Sequence, residues 1–208
     1  MGQPSDDESL LARWREGDAP AGAALFERYY EALARFFVNK VGLDCGDLVQ
    51  ATFLGCLEGL PRFRGEASFR TLLFAIARNQ LLHHLRTKVR NEERFAPELT
   101  TVGDLQPSMT TLLGSRHEHR LLLEALRALP VELQLVVELY YWEQLKVREI
   151  AVIVDRPEGT IKTQLFKGRK LLEQQLARLA DSPQQLESTV GGLERWASEL
   201  REQLGRPR

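Results

Sequence analysis

Apolar residues recur at intervals of three and four along nearly the whole 208-residue chain, the spacing of helices that each bury one stripe. Leu10, Leu11 and Trp14 open a first amphipathic segment, and after a break from Gly17 to Gly22 the series Leu25, Tyr29, Leu33, Phe36 and Phe37 predicts a second. Residues 44–47 start a third helix, which carries Leu48, Phe53 and Leu57 and stops at Gly59 and Pro61. Beyond a short loop from Arg62 to Glu66, Ser68 is placed to cap a long helix reaching about Arg90. The apolar positions of that helix, among them Phe69, Leu73, Ile76, Leu81 and Leu85, cover most of its circumference, which predicts a central place in a bundle. No stretch sustains the period-two alternation of a strand.

The helical pattern fails from Asn91 to about Ser115, where Pro97, Gly103, Pro107 and Gly114 mark a linker with little capacity to form a core. It resumes at Glu118 with Leu122, Leu126 and Leu129, and again over residues 131–145. Past Asp181 a heptad-like seam of Leu186, Val190, Leu193, Ala197, Leu200 and Leu204 predicts a further helix from about Leu193. The expected fold is all-α: an N-terminal segment (1–21), a helical domain (22–90), a flexible linker (91–116), a second helical domain containing a helix-turn-helix (117–180) and a C-terminal helical extension (181–208).

Charge changes the picture. A net charge of −1 would by itself argue against nucleic acid, but residues 62–94 hold 8 basic and 3 acidic residues and residues 146–170 hold 7 and 3. Two such concentrations in an otherwise acidic chain are the footprint of two phosphate-binding places. Cys45 and Cys56 lie in apolar helical surroundings without metal or redox spacing and read as reduced core thiols. His83, His84, His117 and His119 lack a matching carboxylate or thiolate cluster, so no metal is expected. No phosphate loop, nucleophile elbow or framed carboxylate pair points to an enzyme, a cofactor or a small-molecule substrate. The polar N-terminus lacks a signal core, and no apolar run approaches the ~20 residues of a bilayer span, so a soluble cytoplasmic protein is expected.

The two basic blocks differ in kind. The first interleaves Arg62, Phe63, Arg64 and Phe69, a combination suited to unstacked bases because rings stack and guanidinium groups hold phosphates. Thr71, Arg78, Asn79, Leu82 and Arg86 continue it as one helical stripe. The second, Glu149 to Lys170, reads as a helix-turn-helix: Ala151 allows a close crossing, Asp155 and Arg156 form the turn, and Pro157 suits the opening of the second helix. On a helical wheel Ile161, Leu165, Gly168 and Leu172 face inward, while Gly159, Thr163, Phe166, Lys167 and Lys170 face a groove. Thr163 and Lys167 are then candidates for base edges, Phe166 for a thymine methyl, and Lys162, Arg169 and Lys170 for phosphates.

Three motifs, in order, resemble the extracytoplasmic-function group of the sigma-70 family of bacterial RNA polymerase sigma factors. They are Asp47-Leu-Val-Gln-Ala-Thr-Phe53, then Arg62-Phe-Arg-Gly-Glu-Ala-Ser-Phe-Arg-Thr71 with Ile76-Ala-Arg-Asn79, and Glu149-Ile-Ala151 with Pro157-Glu-Gly-Thr-Ile-Lys162. The resemblance implies a non-catalytic initiation factor that binds core RNA polymerase through Asp47, Leu48, Gln50 and Phe53. It implies that Arg62, Phe63, Arg64, Ser68, Phe69, Thr71, Arg78, Asn79 and Arg86 meet the melted minus-ten element of promoter DNA. Arg156, Pro157, Glu158, Gly159, Thr160, Lys162, Thr163, Phe166, Lys167, Arg169 and Lys170 would meet the minus-thirty-five duplex, and an anti-sigma factor is an implied partner. The chain departs from the family at Leu72 and Phe74, where Trp and Tyr are usual, and at Asp155, where the turn usually has Gly. Two other readings remain: a stand-alone helix-turn-helix regulator, which leaves the Arg62–Asn79 motif unexplained, and a degenerate sigma-like protein that sequesters an anti-sigma partner.

Overall fold

The structure is a computed structural model that describes residues 6–88, 96–98, 100–105 and 117–179. The seam of residues 186–204 lies outside them. The described residues form α1 (Asp6–Arg15), α2 (Ala19–Val41), α3 (Gly46–Gly59), a 3-10 turn (Leu60–Arg62), α4 (Phe69–Lys88), α5 (Val102–Leu105), α6 (His117–Arg127), α7 (Val131–Tyr141), α8 (Val147–Val154) and α9 (Glu158–Leu179). The architecture is all-α, with two helical regions, α1–α4 and α6–α9, joined by a linker.

The break before α2 is shorter than the glycine pattern predicts. Asp18 caps α2 by accepting from the Ala21 N–H at 3.2 Å, and Pro20 fits the first turn, where an N–H is not required. Gly22 therefore lies inside the helix. Its lack of a side chain serves packing, because a Cβ there would sit 2.5 Å from the Trp14 Nε1. Trp14 also meets Phe26 edge-on at 5.1 Å, while Asp6 and Asp7 pair with Arg28, so α1 is fastened to α2 at both ends.

As its all-round apolar pattern predicts, α4 is central: Phe69, Leu73, Phe74, Ala77, Leu81 and Leu85 are all buried. The Ser68 hydroxyl accepts from the Thr71 N–H at 3.1 Å and so supplies the expected cap. One continuous apolar cluster holds these residues together with Ile150, Ile153 and Val154 of α8 and Ile161 and Leu165 of α9. A second cluster, built from Leu122, Leu126, Leu129, Val137, Trp142, Leu172 and Leu176, ties α6, α7 and α9 together.

The described part of the linker is fastened to the start of α7. Pro130 precedes α7 and offers no side-chain cap, which leaves the first N–H groups of that helix in need of partners. Linker carbonyls supply them: Thr100 accepts from Val131 at 2.9 Å and Pro97 from Glu132 at 3.0 Å. Thr101 forms a single antiparallel bridge with Pro130, and Val102 is fully buried in the first cluster. Cys45 and Cys56 are free and buried, as the reading of core thiols requires; burial pushes the Cys56 thiol up to about 12.

Candidate nucleic-acid interface

The helix-turn-helix is built as its spacing predicts. Glu149 accepts from the Lys146 N–H at 2.8 Å and holds the start of α8. The chain reverses at Asp155, which stands in the left-handed region at φ 53°, ψ 55°, while the Arg156 N–H reaches back to the Ala151 carbonyl at 3.0 Å. Aspartate tolerates that conformation at a cost that glycine avoids. Asp155→Gly is therefore expected to stabilise the chain by roughly 0.5–1 kcal/mol. The thermal midpoint measures this gain, and a fall in it would contradict the strain assigned to the turn.

Pro157 lies immediately before α9, and its carbonyl accepts from Thr160 at 2.9 Å and Ile161 at 3.2 Å. In α9 the residues Ile161, Leu165, Gly168, Leu172 and Leu176 are buried. Gly168 lies hard against α7: a Cβ there would stand 2.7 Å from the Val137 Cγ2. The opposite side is open. Glu158, Gly159, Thr160, Lys162, Thr163, Lys167, Arg169 and Lys170 are exposed, and the Phe166 ring is 71% exposed. A phenyl ring so placed among four cations is costly in water and suited to a base edge or methyl. The Thr163 hydroxyl donates to the Gly159 carbonyl at 3.0 Å. Arg156 leans back on Glu132 at 3.7 Å and Glu98 at 3.8 Å.

The first basic block is arranged less openly than its sequence implies. Arg62, Arg64 and Ser68 are exposed and Phe63 is half-buried. Gly65 turns the loop at φ 77°. Phe69 points into the core, 5.8 Å from the Tyr29 ring, and Thr71 is buried with its hydroxyl 2.9 Å from that of Ser68. Farther along α4, Asn79 and Arg86 are exposed and Leu82 is buried. Arg78 is half-buried, near Glu132 and the Asp155–Arg156 turn, and burial holds its pKa below the ordinary arginine value.

Sequence patterning misses Arg15, whose guanidinium donates to the Phe63 carbonyl and lies 5.2 Å from the Phe63 ring. The loop and α1 face α8 across a cleft of about 690 Å³, lined in part by Asp7, Arg15, Phe63, Ser68, Arg148 and Val152. Burial likewise lowers the pKa of His84. Among the described residues no group of three or more His, Cys, Asp or Glu is placed to hold a metal ion.

On α3 the exposed face is Asp47, Gln50, Leu54 and Leu57, spaced by one turn each. Leu48 and Phe53 turn partly inward, and Phe53 stacks on Phe26 at 4.2 Å. Leu54 and Leu57 are exposed apolar side chains on this face, although Leu57 continues the apolar spacing of Leu48 and Phe53.

The chain is thus a helical protein with two candidate nucleic-acid surfaces, an aromatic, basic loop in one region and an open helix-turn-helix in the other. Comparison with known proteins defines it further. Residues 25–91 match the model of Sigma-70 region 2 and residues 119–172 that of Sigma-70, region 4, together more than half of the chain. The chain belongs to the sigma-70 family of sigma factors, within its extracytoplasmic-function group. It is similar to the ECF RNA polymerase sigma-E factor of Haemophilus influenzae, with 29% identity over 86% of this chain and 100% of that protein. The sigma-E factor of Escherichia coli K12 is 27% identical over 86% of this chain and 98% of its own length. Two solved structures share the fold. CnrH in complex with the cytosolic domain of CnrY superposes with a TM-score of 0.63 at 21% identity, covering 86% of this chain and 100% of that one. The sigma factor RpoE in complex with the anti-sigma factor NepR from Bartonella quintana gives 0.57 at 21%, covering 79% and 99%.

Proposed function

We propose that this sigma factor, which directs RNA polymerase to promoters, divides promoter reading between its two basic blocks. The exposed side of α9 enters the major groove of the minus-thirty-five duplex. There Thr163, Phe166 and Lys167 reach base edges, while Lys162, Arg169 and Lys170 hold phosphates together with the exposed first turn, Pro157 to Thr160. The Arg62–Ser68 loop takes the opened minus-ten strand, with Phe63 as stacking surface and Arg62 and Arg64 on the backbone. Asn79 and Arg86 extend that strand path along α4, with the half-buried Arg78 beside Asn79. The single observation that carries the duplex assignment is the open, cation-flanked Phe166 on a helix whose opposite side is fully packed.

Core polymerase docks on the face of Asp47, Gln50, Leu54 and Leu57, where apolar and polar groups lie exposed side by side, while Leu48 and Phe53 shape that face from beneath. The family is not catalytic, so the chemistry of transcription belongs to the polymerase. A protein that restrains the chain by binding it, as CnrY and NepR bind CnrH and RpoE, is a further partner. No helix among the described residues is long and apolar enough to cross a membrane.

The duplex assignment is tested by salt titration of binding to a promoter fragment. Lys167→Ala and Lys170→Ala are each expected to reduce the slope of log affinity against log salt by about 0.9 if the ammonium group replaces one counterion. Arg13→Ala, on α1 and outside both basic blocks, leaves the slope unchanged. Equal slopes for all three variants would remove the α9 surface from the interface.

A further inference from the structure

We propose that Arg15, in the last turn of α1, is a positioning residue for strand capture, fixing the carbonyl and the ring of Phe63 so that the basic loop meets an opened strand with its stacking surface already set. This inference rests on the assignment of the Arg62–Ser68 loop to strand reading.

Phe63 is the last residue held by backbone bonds before the loop. Its N–H donates to the Gly59 and Leu60 carbonyls at 3.1 and 3.2 Å and closes the 3-10 turn. Residues 64–67 make no backbone hydrogen bond among the described residues, and Gly65 turns at φ 77°. Backbone bonding resumes at Ser68, whose carbonyl accepts from the Leu72 N–H at 3.1 Å. Arg15 supplies the missing hold from another helix. Its guanidinium donates to the Phe63 carbonyl and lies over the Phe63 ring, 5.2 Å from the centre. One side chain thus grips both the backbone and the ring of the same residue, a double role that suits a flat cation with a fork of donors.

The helix that carries Arg15 is itself firmly placed. Trp14 fills the space over Gly22, where a Cβ would stand 2.5 Å from its Nε1, and it meets Phe26 at 5.1 Å and Phe69 at 6.1 Å, both edge-on. At the other end of α1 the Tyr29 hydroxyl donates to Asp7, and Arg28 pairs with Asp6 and Asp7. Consecutive residues of α1 therefore meet the two rings that bracket the loop: Trp14 meets the buried Phe69, and Arg15 meets the half-buried Phe63. Arg13 turns elsewhere, to Asp18 at 2.6 Å, and fastens the connection between α1 and α2.

A loop without internal hydrogen bonds samples several arrangements, and a strand binds only the fraction that presents the ring. Holding Phe63 before the strand arrives raises that fraction and lowers the ordering cost of binding. Arg15 acts through Phe63 and not on the DNA backbone, because its guanidinium is already engaged with that residue. It lies 48 residues before Phe63 and outside both basic blocks, where charge patterning along the chain does not reach it.

The experiment uses holoenzyme assembled from core polymerase and the full chain, with wild type, Arg15→Ala, Phe63→Ala and the double variant. Affinities are measured for a random-sequence strand of about 12 nucleotides and for an abasic strand of the same length. Arg15→Ala is expected to weaken binding of the base-bearing strand about fivefold, as when the ready arrangement falls from nearly always to about one fifth of the time. Binding of the abasic strand is expected to change less than about twofold, because a residue that sets a stacking surface leaves backbone contacts alone. In the Phe63→Ala background Arg15→Ala is expected to add less than about twofold, since the two residues act as a unit. An unchanged affinity in Arg15→Ala, an equal loss on both strands, or a full loss that persists without Phe63 would each overturn the positioning role. Should Arg15→Ala lower the thermal midpoint, Arg15→Met carries the test, because it keeps an unbranched stem and a helix former; the same base-dependent loss is expected and no loss refutes the role. Phe63→Ala separates the two levels of the proposal. If it leaves binding of the base-bearing strand unchanged, the loop assignment itself fails, whereas a loss in Phe63→Ala without one in Arg15→Ala defeats the positioning role alone.

Discussion

Replacing Arg62, Phe63 and Arg64 together with alanine is expected to lower promoter-dependent transcription by about 100-fold, while binding to core polymerase changes less than twofold. Stacking of one base on an aromatic ring contributes about 1–3 kcal/mol by alanine substitution, and the two guanidinium groups add backbone contacts in the same short loop. The loop is suited to this loss-of-function test because it is not part of the core: Arg62 and Arg64 are exposed and Phe63 only half-buried. Phe69, by contrast, is buried against Tyr29, and its substitution would confuse stability with strand capture. Permanganate reactivity of the opened strand and single-round transcription measure the effect. A variant that melts the promoter normally would show that the loop does not hold the strand.

The second large effect concerns Gly168. A Cβ at that position would lie 2.7 Å from the Val137 Cγ2 and 3.7 Å from the Leu133 carbonyl, on the face where α9 crosses α7. Gly168→Leu is expected to cost about 3 kcal/mol through overpacking, roughly 6–12 °C in Tm for a chain of this size. Duplex affinity falls with it, because displacing α9 from α7 moves the reading helix on its support. Gly159 is the internal control: it lies on the same helix, and a Cβ there would meet nothing within 4 Å, so Gly159→Ala leaves the midpoint within about 1 °C, as expected for an open surface position. Similar midpoints for Gly168→Leu and Gly159→Ala would argue against the close α7–α9 crossing.

Much of the fold was legible because helices announce themselves by local period. The wheel of α9 puts Ile161, Leu165, Gly168 and Leu172 inside and Phe166 and Lys167 outside, and the structure has them so. Ser68 was legible as a cap because a hydroxyl before an apolar helix has one common use. Long-range pairing was not legible. Lys40 continues the apolar stripe of Leu33, Phe36 and Phe37, and nothing local says that its partner is Glu138, 98 residues away. Thr71 and Leu82 fall on the polar-reaching stripe of an isolated α4, yet packing buries both. Leu57 fails in the opposite direction: it continues the apolar spacing of Leu48 and Phe53, but it is exposed. Gly22 shows the same limit, since a glycine that reads as a helix break is instead the space for Trp14.

Promoter reading by this chain is tested most directly by transcription from a genomic promoter library with purified core polymerase, in the presence and absence of the chain, followed by sequencing of transcript starts. New starts are expected that share one sequence about 10 and another about 35 base pairs upstream, and that disappear with the Arg62, Phe63 and Arg64 triple substitution. Starts no different from those of core polymerase alone would refute promoter reading by the two basic blocks.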